Sequence, residues 1–264
     1  MSIVLDGKKI ETPGLDTVSW LDDAKVPMTT DVNPRRTKIR AIVMHTVHGK
    51  VGKLLPGFSK ACARAESYAR YQANTSRDVS WDYTIDTDGT IVASNDPIKS
   101  FTWQATSVNP FTLGIELVQE DNGDLYAGQI DVAVKFLDLL TRELARLGHP
   151  VQRQVPVTMD GKPVKGVIAR IAKGEDAKSV VGIYGHRNQT TNRGPGDPGD
   201  FIFEALLQAG YKAFNLDAEE DLIFWKSIQV RLGLSADGVP GPATQQALLN
   251  AGHKNGLWVE RPGD

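Results

Sequence analysis

Four side chains, far apart in the chain, have the chemistry of a metal-assisted hydrolytic centre. His186 opens the stretch GHRNQTTNRGPGDPGD, residues 185–200, and Asp197 lies near its end, inside a Pro/Gly run. His45 stands at the end of the apolar run IRAIVMH, residues 39–45. Two imidazoles and a carboxylate have the borderline softness that zinc favours, and three protein ligands leave one position open to water. Each residue also has a plainer reading. A histidine at a strand end can be a hydrogen-bonded surface residue, and an aspartate before proline can be a turn residue. His48 is a rival ligand, since HTVH would pair both histidines on a helix. The run before His45 reads as strand, however, which puts His48 in the following loop.

Glu116 is the fourth residue. In TLGIELVQ, strand alternation puts Gly114, Glu116 and Val118 on one face and Leu113, Ile115 and Leu117 on the other. A carboxylate in so apolar a strand costs free energy unless it is paired or opens into a cleft. It reads either as a solvated edge residue or as a proton-transfer group whose pKa is raised by desolvation.

The elements that must position these residues follow from periodicity. Residues 39–49 read as a buried strand emptying into a loop, and 59–74 as an alanine-rich helix. VSWDYTIDTDGTIVAS, residues 79–94, reads as a hairpin turning at TDG, and 111–119 as a further strand. Residues 129–148 carry apolar positions at three and four and stop at Gly148, the signature of an amphipathic helix. A short strand at 179–186 ends on His186, and 201–211 reads as helix. Alternating strands and helices predict an α/β fold, a mixed central sheet flanked by helices, with ligands gathered at strand ends. Residues 1–38 read as an extension packing on the core, 39–213 as the main domain with a probable insertion at 150–178, and 214–264 as a small helical module.

Composition narrows the function. Apolar residues make up 41% of the 264, enough for a core, and the net charge of -2 offers no general attraction for nucleic acid. The single cysteine, Cys62, excludes an intrachain disulfide and a multi-thiolate metal site. No stretch resembles a signal peptide or approaches the about 18 apolar residues of a membrane span. The expectation is synthesis in the cytoplasm, no stable membrane insertion and a monomer. HGKVGK lacks the full phosphate-loop pattern, and GPGDPG lacks the strand–helix context of a nucleotide fingerprint.

Four ordered blocks together resemble a family. IVMHTVHG, VSWDYTIDTDGTIV, TLGIELVQ and GHR…GDPG are similar to the zinc N-acetylmuramoyl-L-alanine amidases of the amidase-2 and peptidoglycan-recognition-protein fold, over roughly residues 35–213. The resemblance implies zinc bound by His45, His186 and Asp197, proton transfer by Glu116, and hydrolysis of the amide joining the lactyl group of N-acetylmuramic acid to L-alanine. It also implies peptidoglycan as partner, and action on the periplasmic or extracellular wall after holin-type release or dedicated delivery. Two other readings are a recognition protein that binds peptidoglycan without cutting it, and a cytosolic amidase that recycles muropeptides. Three positions depart from the family pattern. Pro195 stands where a lysine often serves the oxyanion, which makes Arg193 the candidate replacement. Asp82 stands at the usual hairpin histidine, and Gln104 replaces the histidine of Trp-His-Ala while keeping a donor for substrate. Trp81, Tyr83 and Trp103 are candidates to pack on sugar or stem peptide, or else belong to the core. IQVRLGLSADGVPGPATQQAL, residues 228–248, resembles peptidoglycan-binding domain 1, with Asp237 and Gly238 building a turn and Pro240 in place of the usual phenylalanine. Its plainer reading is a structural helical cap.

Overall fold

A computed structural model of the chain describes residues 1–61, 63–157, 181–190, 192–215, 226, 229–236 and 242–250. Cys62, most of the expected insertion at 150–178, and the Asp237, Gly238 and Pro240 turn lie outside the described residues. Two compact units divide the chain: Met1–Pro156 with Pro163–Phe214, and Val157–Lys162 with Asn215–Asp264.

In the first unit a hairpin of β1 (Ser2–Leu5) and β2 (Lys8–Glu11) turns through Asp6 and Gly7, both at positive φ. Then come β3 (Thr17–Ser19), β4 (Val32–Pro34), β5 (Ala41–Thr46), β6 (Leu54–Leu55) and helix α1 (Arg64–Asn74). The TDG hairpin forms β7 (Tyr83–Ile85) and β8 (Ile91–Ala93), reversing at Gly89 with φ 90°. Next are β9 (Ser100–Thr102), a 3₁₀ turn at Thr106–Phe111, β10 (Thr112–Leu117), β11 (Leu125–Tyr126) and α2 (Ala127–Arg146). Beyond β12 (Gln154–Val157), the unit closes with β13 (Gly182–Gly185), α3 (His186–Gln189), α4 (Phe201–Gln208) and β14 (Lys212–Asn215).

Six strands form a mixed central sheet in the order β13-β5-β10-β7-β8-β3. All neighbouring pairs are parallel except the β7–β8 hairpin. Every residue of β5 and β10 is buried, the mark of central strands covered on both faces. Tyr83 packs edge-on against Phe136 of α2, with ring centroids 5.0 Å apart, so Tyr83 faces α2. The next residue, Thr84, faces the other way. Its register partner Val92 joins Ala65 and Ala69 of α1 in one apolar cluster with Val26. The two helices therefore cover opposite faces. Burial of α2 side chains such as Phe136 and Leu140 contributes about 1.5–3 kcal/mol each.

The N-terminal segment is more than a wrapping. β3 is the edge strand of the central sheet, pairing with β8, and β4 pairs with β9. Arg35 reaches inward and donates to the carbonyls of Pro97 (2.5 Å), Pro110 (2.6 Å) and Thr112 (2.6 Å), fixing the start of β10. In the second unit, α5 (Pro242–Asn250) starts on a proline, whose missing N–H costs nothing at a helix N-terminus. Gln229 donates through Nε2 to Thr244 Oγ1 at 3.1 Å. Among the described residues no helix is long and apolar enough to cross a membrane.

Candidate metal centre

The sheet register aligns the chemistry. Glu116 on β10 lies opposite His45 on β5 and Thr84 on β7. On the far side of β5, β13 ends at Gly185 opposite Met44, so His186 opens α3 level with His45. Parallel partners share a face, which puts His45 and Glu116 on the α1 side of the sheet. The Asn188 side chain turns back to accept from the Gly185 N–H at 2.8 Å and fixes the strand-to-helix corner that aims His186.

The loop after α3 brings in Asp197. His45 Nδ1 and His186 Nδ1 are 3.1 Å apart. Asp197 Oδ1 is 3.8 Å from His45 Nδ1, and its Oδ2 is 3.6 Å from His186 Nδ1. All three ligand atoms lie within 4.8 Å of one another, and the residues are 3–5% exposed. A tetrahedral zinc centre sets its ligand atoms about 3.3 Å apart, so the residues present fit that ion. The Thr46 N–H donates to Asp197 Oδ1 at 3.1 Å, and the Thr46 hydroxyl to Gly196 O, so the end of β5 also grips the loop.

Electrostatics favour neutral imidazole donors. Burial pushes the His45 pKa down, against a smaller upward pull from Asp197. Burial, then His45 and Arg193, push His186 down to about 2. Glu116 is 8% exposed, and burial followed by the facing Asp197 raises its pKa well above the usual carboxylate range, with Arg193 opposing. The Arg193 Nε lies 3.8 Å from Asp197 Oδ2, and its side chain is 53% exposed. Arg193, His186, Arg77 and Trp103, the last 38% exposed, line a groove of about 340 Å³.

Several expectations change. Gln104 is engaged at both ends of its amide, with Oε1 2.7 Å from His45 Nε2 and Nε2 donating to Thr112 Oγ1 at 2.7 Å, while the residue also lines the groove. It holds the His45 ring so that Nδ1 is the lone-pair nitrogen. Tyr83 is fully buried on the α2 side and is core, because alternation turns it away from Glu116. Trp81 is 7% exposed and donates to Thr84 Oγ1 at 2.7 Å, so it packs behind the site. His48 is exposed, 3.6 Å from Asp121, and outside the three-ligand cluster. Asp82 is a buried hub, accepting from Asn95 Nδ2 (2.6 Å), Gly114 N (2.7 Å) and Thr102 Oγ1 (3.2 Å).

Two further features emerge only from the folded geometry. Tyr68 on α1 is half-buried and close enough to Glu116 for that carboxylate to raise its pKa, second to burial. The second glycine of HGKVGK, Gly52, serves close approach. A Cβ at Gly52 would lie 2.2 Å from the Gly123 carbonyl carbon, and one at Gly196 would lie 2.2 Å from that of Lys50. The loop after His45 is thus pressed between the loop after Glu116 and the loop carrying Asp197.

Residues 35–200 match the protein family described as N-acetylmuramoyl-L-alanine amidase. No curated protein sequence matches the chain. Among solved structures the chain is similar to a mutant endolysin from Bacillus subtilis, at 22% identity over 52% of this chain and 82% of that one, with a TM-score of 0.36. It is similar to Drosophila PGRP-LB at 13% identity over 75% and 96%, TM-score 0.47. The Ph2119 endolysin from a Thermus scotoductus bacteriophage matches at 14% identity over 74% and 99%, TM-score 0.42.

Proposed function

The chain belongs to the N-acetylmuramoyl-L-alanine amidase family, and on that premise we propose that it is a zinc-dependent hydrolase of bacterial peptidoglycan. The bond cut is the amide between the lactyl group of N-acetylmuramic acid and L-alanine. The observation that carries the reading is the register of Glu116 opposite His45, beside a buried set of two imidazoles and one carboxylate.

Zinc held by His45, His186 and Asp197 would supply Lewis-acid polarisation and acidify water at the site. Engagement of Asp197 by the metal would lift the smaller of the two causes, after burial, that hold the Glu116 proton, and Glu116 acts in its ionised form. Its carboxylate then takes a proton from the attacking water as the carbon–oxygen bond forms. The same carboxyl group returns that proton to the amide nitrogen as the carbon–nitrogen bond breaks, and L-alanine leaves with a free amine. The Arg193 guanidinium, which lines the groove 3.8 Å from Asp197, would be the donor for the oxygen on which negative charge develops. Trp103 offers the groove an exposed aromatic face for sugar or peptide. The second unit serves attachment to the wall polymer, and the enzyme acts as a lysin on the wall beyond the cytoplasmic membrane, after release or delivery.

The test is metal content and rescue. Protein purified without added metal is expected to carry one zinc per chain, to lose activity to a chelator and to regain it with zinc. Full activity in metal-free protein contradicts the proposal.

A further inference from the structure

We infer that Arg187 is the positioning residue that fixes Asp197 as the third metal ligand. The inference rests on the reading of His45, His186 and Asp197 as a zinc site. Asp197 is the one ligand on irregular backbone, since His45 ends a strand and His186 opens a helix. Its carboxylate takes one hydrogen bond from the Thr46 N–H at the end of β5, and the loop on both sides of it must be held as well. The loop's own contribution is slight: the Asp197 N–H reaches Gly194 O at 3.3 Å.

Arg187 grips that loop at three points. Its backbone N–H donates to Asp197 O at 2.9 Å. Its Nη1 donates to Pro195 O at 2.9 Å, two residues before the ligand. Its Nη2 pairs with Asp200 Oδ1, three residues after the ligand. The guanidinium carbon lies 5.4 Å from the Phe203 ring centroid, and the whole residue is 4% exposed. One rigid planar fork thus brackets Asp197 on both sides, and its own chain neighbour is His186. It couples the second ligand to the third. Asp200 balances the Arg187 charge, so a cation nearby meets no uncompensated positive group. Pro195, at the position of the family's lysine, serves the loop through its carbonyl. A lysine has a single point charge in place of the fork and cannot reproduce the grip.

Removing one partner of a buried ion pair is costly when the other charge stays buried, but Asp200, the partner left by an Arg187 substitution, is 52% exposed and stays solvated. Position and stability should therefore separate. The full chain is compared with its Arg187→Met, Arg187→Lys and Asp200→Asn variants, using zinc affinity by chelator competition, the absorption bands of the cobalt(II)-substituted protein, and far-ultraviolet circular dichroism. Both Arg187 variants are expected to keep the fold, to bind zinc about 10–100-fold more weakly and to show altered cobalt bands. Asp200→Asn is expected to lose affinity several-fold. Wild-type zinc binding, with both Arg187 variants within two-fold of it and spectrally unchanged, overturns the role of Arg187 and leaves the metal reading intact. A wild-type chain that binds no zinc overturns the metal reading itself, and the inference with it. If the Arg187 variants do not fold, Asp200→Asn decides, since that side chain is 52% exposed: several-fold weaker binding supports the grip, and unchanged affinity and spectrum overturn it.

Discussion

Gln104 Oε1 lies 2.7 Å from His45 Nε2, and the same amide donates to Thr112 at 2.7 Å. The carbonyl end can only accept, so His45 carries its proton on Nε2 and presents Nδ1 to His186 and Asp197. Gln104→Leu should therefore weaken zinc binding by about 10–100-fold while leaving the fold intact. Chelator competition checks this, and an unchanged dissociation constant would remove Gln104 from the centre.

Glu116 carries a signature in metal-free protein that does not depend on activity. The unfolded chain releases this proton near pH ~4.3, whereas the folded chain holds it because of burial and the facing Asp197. Between the two pKa values the folded state binds more protons, so this group's contribution to stability falls as pH rises. With chelator present, Glu116→Gln should be more stable than wild type at pH 7, and the margin should shrink toward pH 4. The slope is at most about 1.4 kcal/mol per pH unit. Urea denaturation across that range measures it, and a margin independent of pH contradicts the placement.

Gly196→Ala tests the packed junction behind Asp197. The added Cβ would meet the Lys50 backbone at 2.2 Å, so the loop must shift, at a cost of about 1–3 kcal/mol and with weaker zinc binding. Gly199→Ala, with no atom within 4 Å of the added carbon, is the near-neutral control. Equal melting temperatures and zinc affinities for the two variants would show the junction to be unimportant.

What the sequence made legible is what depends on period and order. The three- and four-residue spacing of α2, the apolar run of β5 and the TDG turn are local patterns, and the ligands fall at element ends where an α/β sheet exposes them. Register between strands is not local. Alternation puts Trp81 and Tyr83 on one face, yet Trp81 lies before the strand and bonds Thr84 while Tyr83 faces α2. The partners of Gln104, at residues 45 and 112, lie on different strands, so its hold on His45 was not legible. Tyr68 and Arg187 carry ordinary residue types at ordinary positions, so only the folded geometry distinguishes them. The glycines of HGKVGK were visible, but not the Gly123 and Gly196 backbones that press on that loop.

The central claim is that Glu116 moves a proton beside the three-ligand centre while the lactyl–alanine amide is cut. Mass analysis of purified peptidoglycan digested by zinc-loaded protein and by its Glu116→Gln variant tests it most directly. The account predicts stem peptides with free L-alanine amino termini and glycan bearing free lactyl carboxylates. It also predicts a rate lower by about 10²–10⁴-fold in the variant, which still folds and binds zinc. Cleavage at another bond, or equal release of stem peptides by the two proteins, would contradict it.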